Sequence, residues 1–169
     1  MGSGHDLERW HDFYLAIAGG AATLVGLLFV ALSYRLELVK RLREAEWLAL
    51  QTFTNFLGVF FAAIAALSPL GDRHIALILM ALNTSLLVAS AFSARQELRG
   101  TPAATLAYHF APNFLTRAAL VGAAGMLWLG HPLATLALAV ASAAAVGFAA
   151  RNAWNLLVRL GEYAQRAAK

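Results

Sequence analysis

What most constrains this chain is the length of its uncharged runs. Phe13 to Tyr34 is 22 consecutive residues without a charge, Trp47 to Gly71 is 25, and Ile75 to Ala94 is 20. A helix needs about 20 apolar residues to cross a hydrocarbon core, so each run predicts a span. A fourth run, Ala118 to Ala150, has 33 residues. As one helix it would be roughly 50 Å long, against a core of roughly 30 Å, so it must fold back. Gly130-His131-Pro132 is the place, because glycine ends a helix and proline suits the first turn of the next. The expected fold is all-α: one transmembrane domain, a bundle of five membrane helices over about 13–34, 47–69, 75–94, 112–129 and 133–157. Arg117 falls inside the fourth span. Three spans followed by a C-terminal helical hairpin are therefore the alternative.

Composition excludes other classes. The chain is 60% hydrophobic and only 13% charged, where a soluble domain carries about 25% charge. Its mean hydropathy is +0.65. Neither a disordered chain, a nucleic-acid module nor an ordinary soluble enzyme has this balance, and the net charge of +4 is gathered near the ends of the runs. Barrel strands would alternate apolar and polar residues, but these runs are continuous and rich in Ala and Leu. A cleaved signal peptide needs a basic start and a short apolar stretch. Here Asp6, Glu8 and Asp12 stand against Arg9, and the first run is too long, so it reads as a retained span. There is no cysteine, hence no disulfide or thiol chemistry.

The charges also predict an orientation. Five spans put the 35–46 segment, the 95–111 segment and the C-terminal tail on one side. That side carries ten basic residues: Arg35, Lys40, Arg41, Arg43, Arg95, Arg99, Arg151, Arg159, Arg166 and Lys169. The other side carries two, Arg9 and Arg73. Under the positive-inside rule the N-terminus lies outside and the C-terminus in the cytoplasm. The interfacial rings agree: Trp10, Phe13 and Tyr14 open the first span, Tyr34 closes it, Trp47 opens the second, Tyr108 and Phe110 precede the fourth, and Trp154 and Tyr163 lie at the inner exit. The 35–46 segment reads as a helical extension among headgroups, where its basic residues favour anionic lipid. Gly100-Thr101-Pro102 reads as a turn.

Polar residues at membrane depth are the functional candidates. No Asp or Glu lies within a span, which argues against carriers that need a buried carboxylate. Gln51, Thr52 and Asn55 share a face near the cytoplasmic start of the second span. Ser90 and Ser93 are near the inner end of the third, with Asn83 and Thr84 near mid-depth. Asn113, Thr116 and Arg117 open the fourth, and Arg151, Asn152 and Asn155 close the fifth. The sharper reading is a cytoplasm-facing polar vestibule in which Arg117 and Arg151 attract an anion or a lipid headgroup. The alternatives are a polar packing cluster, or an Arg117 side chain that snorkels to the interface.

Helices in lipid associate through small residues and interhelical hydrogen bonds. Ala18, Ala22 and Gly26 recur at four-residue spacing in the first span, with Gly19 and Gly20 beside them. Ala137, Ala141, Ala145 and Ala149 do so in the fifth, and Ala118 and Gly122 in the fourth. These faces serve packing within the bundle or a subunit interface. His5, His11, His74 and His131 fall on the outer side, but no pair has the spacing of a zinc site. No metal or cofactor is expected. Serine-hydrolase elbow, P-loop, dinucleotide and zinc-protease motifs are all absent, so an enzyme is not expected.

The first span, Phe13-Tyr14, then Ala18-Gly19-Gly20-Ala21-Ala22-Thr23-Leu24, then Gly26-Leu27-Leu28-Phe29-Val30-Ala31-Leu32-Ser33, resembles that of small bacterial multi-pass membrane proteins of uncharacterised function. Some of these carry an automatic label as modulators of a membrane-bound AAA protease. The resemblance covers this span and a shared general hydropathy. It implies a bacterial cytoplasmic (inner) membrane protein and carries over no catalytic residue. Two functions stay open: an accessory or regulatory subunit of a membrane complex, and a small homo-oligomeric channel or transporter lined by residues such as Gln51, Thr52 and Asn55. Expected partners are membrane lipid, anionic in character, and copies of itself or a larger complex, with no nucleic acid.

Overall fold

The computed structural model describes residues 10–34, 36–41, 43–97 and 103–167. They form five long helices and one short one: α1 (His11–Ser33), α2 (Leu36–Arg41), α3 (Arg43–Leu67), α4 (Asp72–Glu97), α5 (Ala103–Trp128) and α6 (Ala134–Ala167). There is no strand among the described residues. Four helices are long and apolar enough to cross a membrane, over His11–Ser33, Leu48–Leu67, Asp72–Phe92 and Ala134–Val158. The fifth long helix, α5, has 26 residues, but Asn113, Thr116 and Arg117 dilute its apolar character.

The helix ends differ from the expected spans in an instructive way. α3 begins at Arg43 and α6 continues to Ala167, because a helix does not end where its charges begin. α5 begins at Ala103, so Pro112 lies inside it and does not open it. Proline removes one i→i−4 bond there, and the helix continues through it. The 35–46 segment is divided between α2 and the start of α3. The proposed turn at Gly100-Thr101-Pro102 lies outside the described residues.

The α5–α6 connection is built as its residues suggest. Gly130 has φ +68, a conformation open to glycine at little cost. The Gly130 N–H donates to the Leu127 carbonyl at 3.1 Å and the His131 N–H to the Met126 carbonyl at 2.9 Å. This pair of bonds is the Schellman cap, and it satisfies carbonyls left over at the end of α5. The Leu133 N–H then donates to Nδ1 of His131 at 3.2 Å, so His131 braces the turn, and Pro132 lies in that turn, two residues before α6 begins. At this end Arg73 also stacks over the Trp128 ring, 5.9 Å from its centroid.

Packing gives a ring of four helices with a fifth outside. α3 packs on α4, α4 on α5, α5 on α6, and α6 back on α3. α1 lies in the seam between α3 and α6, and α2 folds against the same group. α3 and α5 thus stand at opposite corners. At the end holding the α3–α4 and α5–α6 turns, the ring is filled by apolar side chains, among them Val59, Ile75, Leu79, Leu120, Leu127 and Leu138. At the other end a second apolar cluster, with Leu28, Val39, Phe56, Leu156 and Leu160, joins α1, α2, α3 and α6. Polarity is inverted relative to a soluble protein. Phe29, Phe61, Val88, Phe92, Leu115 and Val140 face outward, while the amides and one guanidinium lie inside.

Candidate functional site

The site is built around Arg117 on α5, which is only 3% exposed. Its Nη1 donates to Oδ1 of Asn83 on α4 at 3.2 Å. Its Nη2 donates to Oδ1 of Asn55 at 3.0 Å and to the backbone carbonyl of Thr54, both on α3, at 3.2 Å. The guanidinium therefore binds three helices together and does not snorkel to an edge. All three acceptors are neutral, and none is a carboxylate.

Gly58 makes this geometry possible. A Cβ built there would collide with Nη1, and would lie 2.7 Å from Nη2 and 2.9 Å from Cζ. A helical side chain covers the turn before its own Cα, so glycine at 58 leaves the Thr54 carbonyl open to the guanidinium. Asn83 is held in turn: fully buried, it donates from Nδ2 to the Leu79 carbonyl at 2.9 Å, which points Oδ1 at Arg117.

A second polar layer lies one turn away. Asn113 precedes Arg117 by four residues and Gln51 precedes Asn55 by four, so each shares a helix face with its neighbour in the first layer. Nδ2 of Asn113 donates to Oγ of Ser90 on α4 at 3.2 Å, and its Oδ1 is buried with no partner among the described residues. Gln51 is buried with both amide atoms unpartnered among the described residues. Thr52 is turned to its own helix, donating to the Leu48 carbonyl at 2.7 Å. Thr116 donates to the Asn113 carbonyl at 3.0 Å.

The structure thus brings together Gln51, Asn55, Asn113 and Arg117, with Thr52 buried alongside. Arg151 instead lies on the surface of α6, and Asn152 and Asn155 are half-buried; the bonds of Arg117 do not include them. Thr54, Gly58 and Asn83 complete the site. Their signal was spacing: Gln51, Asn55 and Gly58 fall on one helical stripe, and Asn83 is a lone amide within an apolar run.

The small residues of α1 divide by face. Ala18 is buried, together with Tyr14, Ala21 and Leu28. Gly19, Gly20, Ala22 and Gly26 are exposed, and a Cβ at any of the three glycines would meet nothing within 4 Å. They take no part in packing among the described residues, because α1 lays its opposite side against α3 and α6. The alanine ladder of α6 does face inward, with Ala141, Ala145 and Ala149 buried, whereas Ala118 and Gly122 of α5 face out. His11, His74 and His131 are exposed, and no three His, Asp or Glu among the described residues come together to hold a metal ion.

Chemically, the site offers a fixed positive charge and amide donors and acceptors, with no carboxylate or nucleophile in its bonds. In comparisons with known proteins the chain matches no family model, no curated protein and no solved structure, so its function is argued from this geometry.

Proposed function

We propose that the chain is a five-span protein of a bacterial cytoplasmic membrane, N-terminus outside and C-terminus inside, that acts by helix packing as a non-enzymatic accessory or regulatory subunit of a membrane complex. The observation that carries this reading is the outward face of α1, where Gly19, Ala22 and Gly26 are exposed and open space lies beyond the glycines. Between lipid-facing helices, small residues let backbones approach closely. A helix with its small residues turned away from its own bundle is suited to a neighbour's helix. The apolar outer surface supports membrane embedding, and the charge asymmetry supports the orientation. α5 is taken as the fifth span because Asn113, Thr116 and Arg117 are buried, where hydrocarbon does not meet them. Anionic lipid is the expected surround of the basic end.

The fate of the polar residues weighs against a pore through a single bundle. Asn55 and Asn83 each accept from Arg117, and the ring beyond them is filled by Ile75, Leu79, Leu120 and Leu127. A conducting path needs a polar lining or a gate that can wet.

The test is native mass spectrometry on protein gently extracted from its own membrane, comparing the native chain with Gly26→Leu. The expected result is the chain held with a larger membrane protein, with that association lost in the variant while the bundle stays folded. A bare homo-oligomer, unchanged by the substitution, would overturn this reading in favour of a pore.

A further inference from the structure

We propose that the bundle binds one small inorganic anion of the halide class beside Arg117, between α3, α4 and α5. Charge is the first ground. The guanidinium is 3% exposed, and its acceptors, Asn55, Asn83 and the Thr54 carbonyl, are all neutral. A buried cation without a counter-charge is costly, and removing or supplying the partner shifts stability strongly. Unused donors are the second ground. A guanidinium has five N–H groups, and the bonds to Asn55, Asn83 and Thr54 occupy three. Those three bonds run through Nη1 and Nη2 to neutral oxygens, so none of them supplies the guanidinium with a counter-charge.

Gln51 is the independent observation. It is 8% exposed, yet neither its Nε2 nor its Oε1 has a hydrogen-bond partner among the described residues. Buried amides are nearly always satisfied, and one left so calls for an explanation. Gln51 lies one turn before Asn55 on the α3 stripe whose Asn55 and Gly58 meet Arg117. Its NH2 group carries two donors on that stripe. Asn113 can add more. Its amide exchanges O and N by a half-turn, after which the Ser90 hydroxyl donates to Oδ1 and the NH2 group is free to turn toward the anion. The result is a shell of N–H donors around one fixed cation, which suits an anion and repels a metal ion.

Size selects the ion. Gln51, Asn55, Asn83, Asn113 and Arg117 are each less than a tenth exposed, and the guanidinium already lies against the Gly58 backbone. A headgroup on its acyl chains would have to part the helices, and a halide is the smallest anion that brings the guanidinium a full counter-charge.

The experiment uses the full chain in detergent, melted in chloride, bromide or gluconate at matched ionic strength. Chloride and bromide are expected to raise the melting temperature saturably by about 5 °C over gluconate, following mass action on the folded state. Arg117→Met removes the charge but risks the fold. Asn55→Asp is therefore the deciding variant, since it places a carboxylate beside Arg117 as a built-in counter-ion. It should melt as high in gluconate as the native chain does in chloride, and lose the halide response. Gln51→Leu should fold and show the response weakened at least tenfold in midpoint concentration. Equal melting in chloride and gluconate would overturn the proposal. So would a response to inorganic phosphate or added anionic lipid in place of halide, or a halide response undiminished in Asn55→Asp.

Discussion

Nη2 of Arg117 donates to Oδ1 of Asn55 at 3.0 Å, joining helices at opposite corners of the four-helix ring. A diagonal bond of this kind cannot come from neighbouring ridges and grooves. It needs a long side chain on one helix, a short amide on the other, and no obstruction between them. Gly58 supplies the last condition.

Gly58→Ala should therefore destabilise the chain by about 2 kcal/mol, as overpacking against a hydrogen-bonded charge does. The guanidinium is the end of a flexible side chain and can move aside, but moving costs its bonds to Thr54 and Asn83. In an Arg117→Met background the same substitution should cost almost nothing. A double-mutant cycle measured by detergent-induced unfolding checks this. Equal costs in both backgrounds would mean that the contact carries no energy.

Asn83→Leu should cost about 2–3 kcal/mol, because it leaves a charged donor buried and unpaired. Asn83→Asp keeps the acceptor and should be tolerated. The same unfolding measurement separates them, and a leucine variant as stable as the native chain would show that Nη1 finds another partner.

Gly130 holds φ +68 at the end of α5. Gly130→Ala should destabilise by about 1 kcal/mol through the penalty on a left-handed residue. The change should appear as a modest fall in melting temperature with unaltered helix content by circular dichroism.

Topology is open to a clean test because the chain has no cysteine. Tyr34 is 86% exposed at the C-terminal end of α1, and His131 is exposed in the α5–α6 turn. In intact cells a membrane-impermeant maleimide should label His131→Cys and spare Tyr34→Cys until the membrane is opened. The reverse pattern would invert the proposed orientation.

Much of the fold was legible because hydrocarbon thickness and helix rise leave few choices for uncharged runs of this length. The turn at Gly130-His131-Pro132 was legible for a local reason, since both its bonds and its positive φ belong to those residues. The start of α5 was not, because Pro112 looks like a helix opener and nothing local shows that Ala103 precedes it in the same helix. The packing face of α1 was equally hidden. Ala18 and Ala21 turn inward while Gly19 and Ala22 turn outward, and small residues on both sides of a helix do not say which side meets the bundle. The site was half legible. Gln51, Asn55, Asn113 and Arg117 stood out as polar residues at depth, but their meeting depends on which helices share the ring. Gly58 offered only its place on the stripe of Gln51 and Asn55, since a glycine in an apolar helix resembles any other until the neighbouring side chain is in place.

α5 falls outside the four helices apolar enough to cross a membrane, and its charge is held by acceptors on α3 and α4. Those two helices leave the ribosome before α5. In the proposed membrane setting they would wait with Asn55 and Asn83 as unfilled acceptors until Arg117 arrives, and α5 in turn would have no stable place until they are there. In the proposed membrane setting biogenesis would follow a required sequence: the earlier helices act as the receptor that admits the later one, and damage to Asn55 or Asn83 should appear as failed insertion of α5 before it appears as a weakened fold.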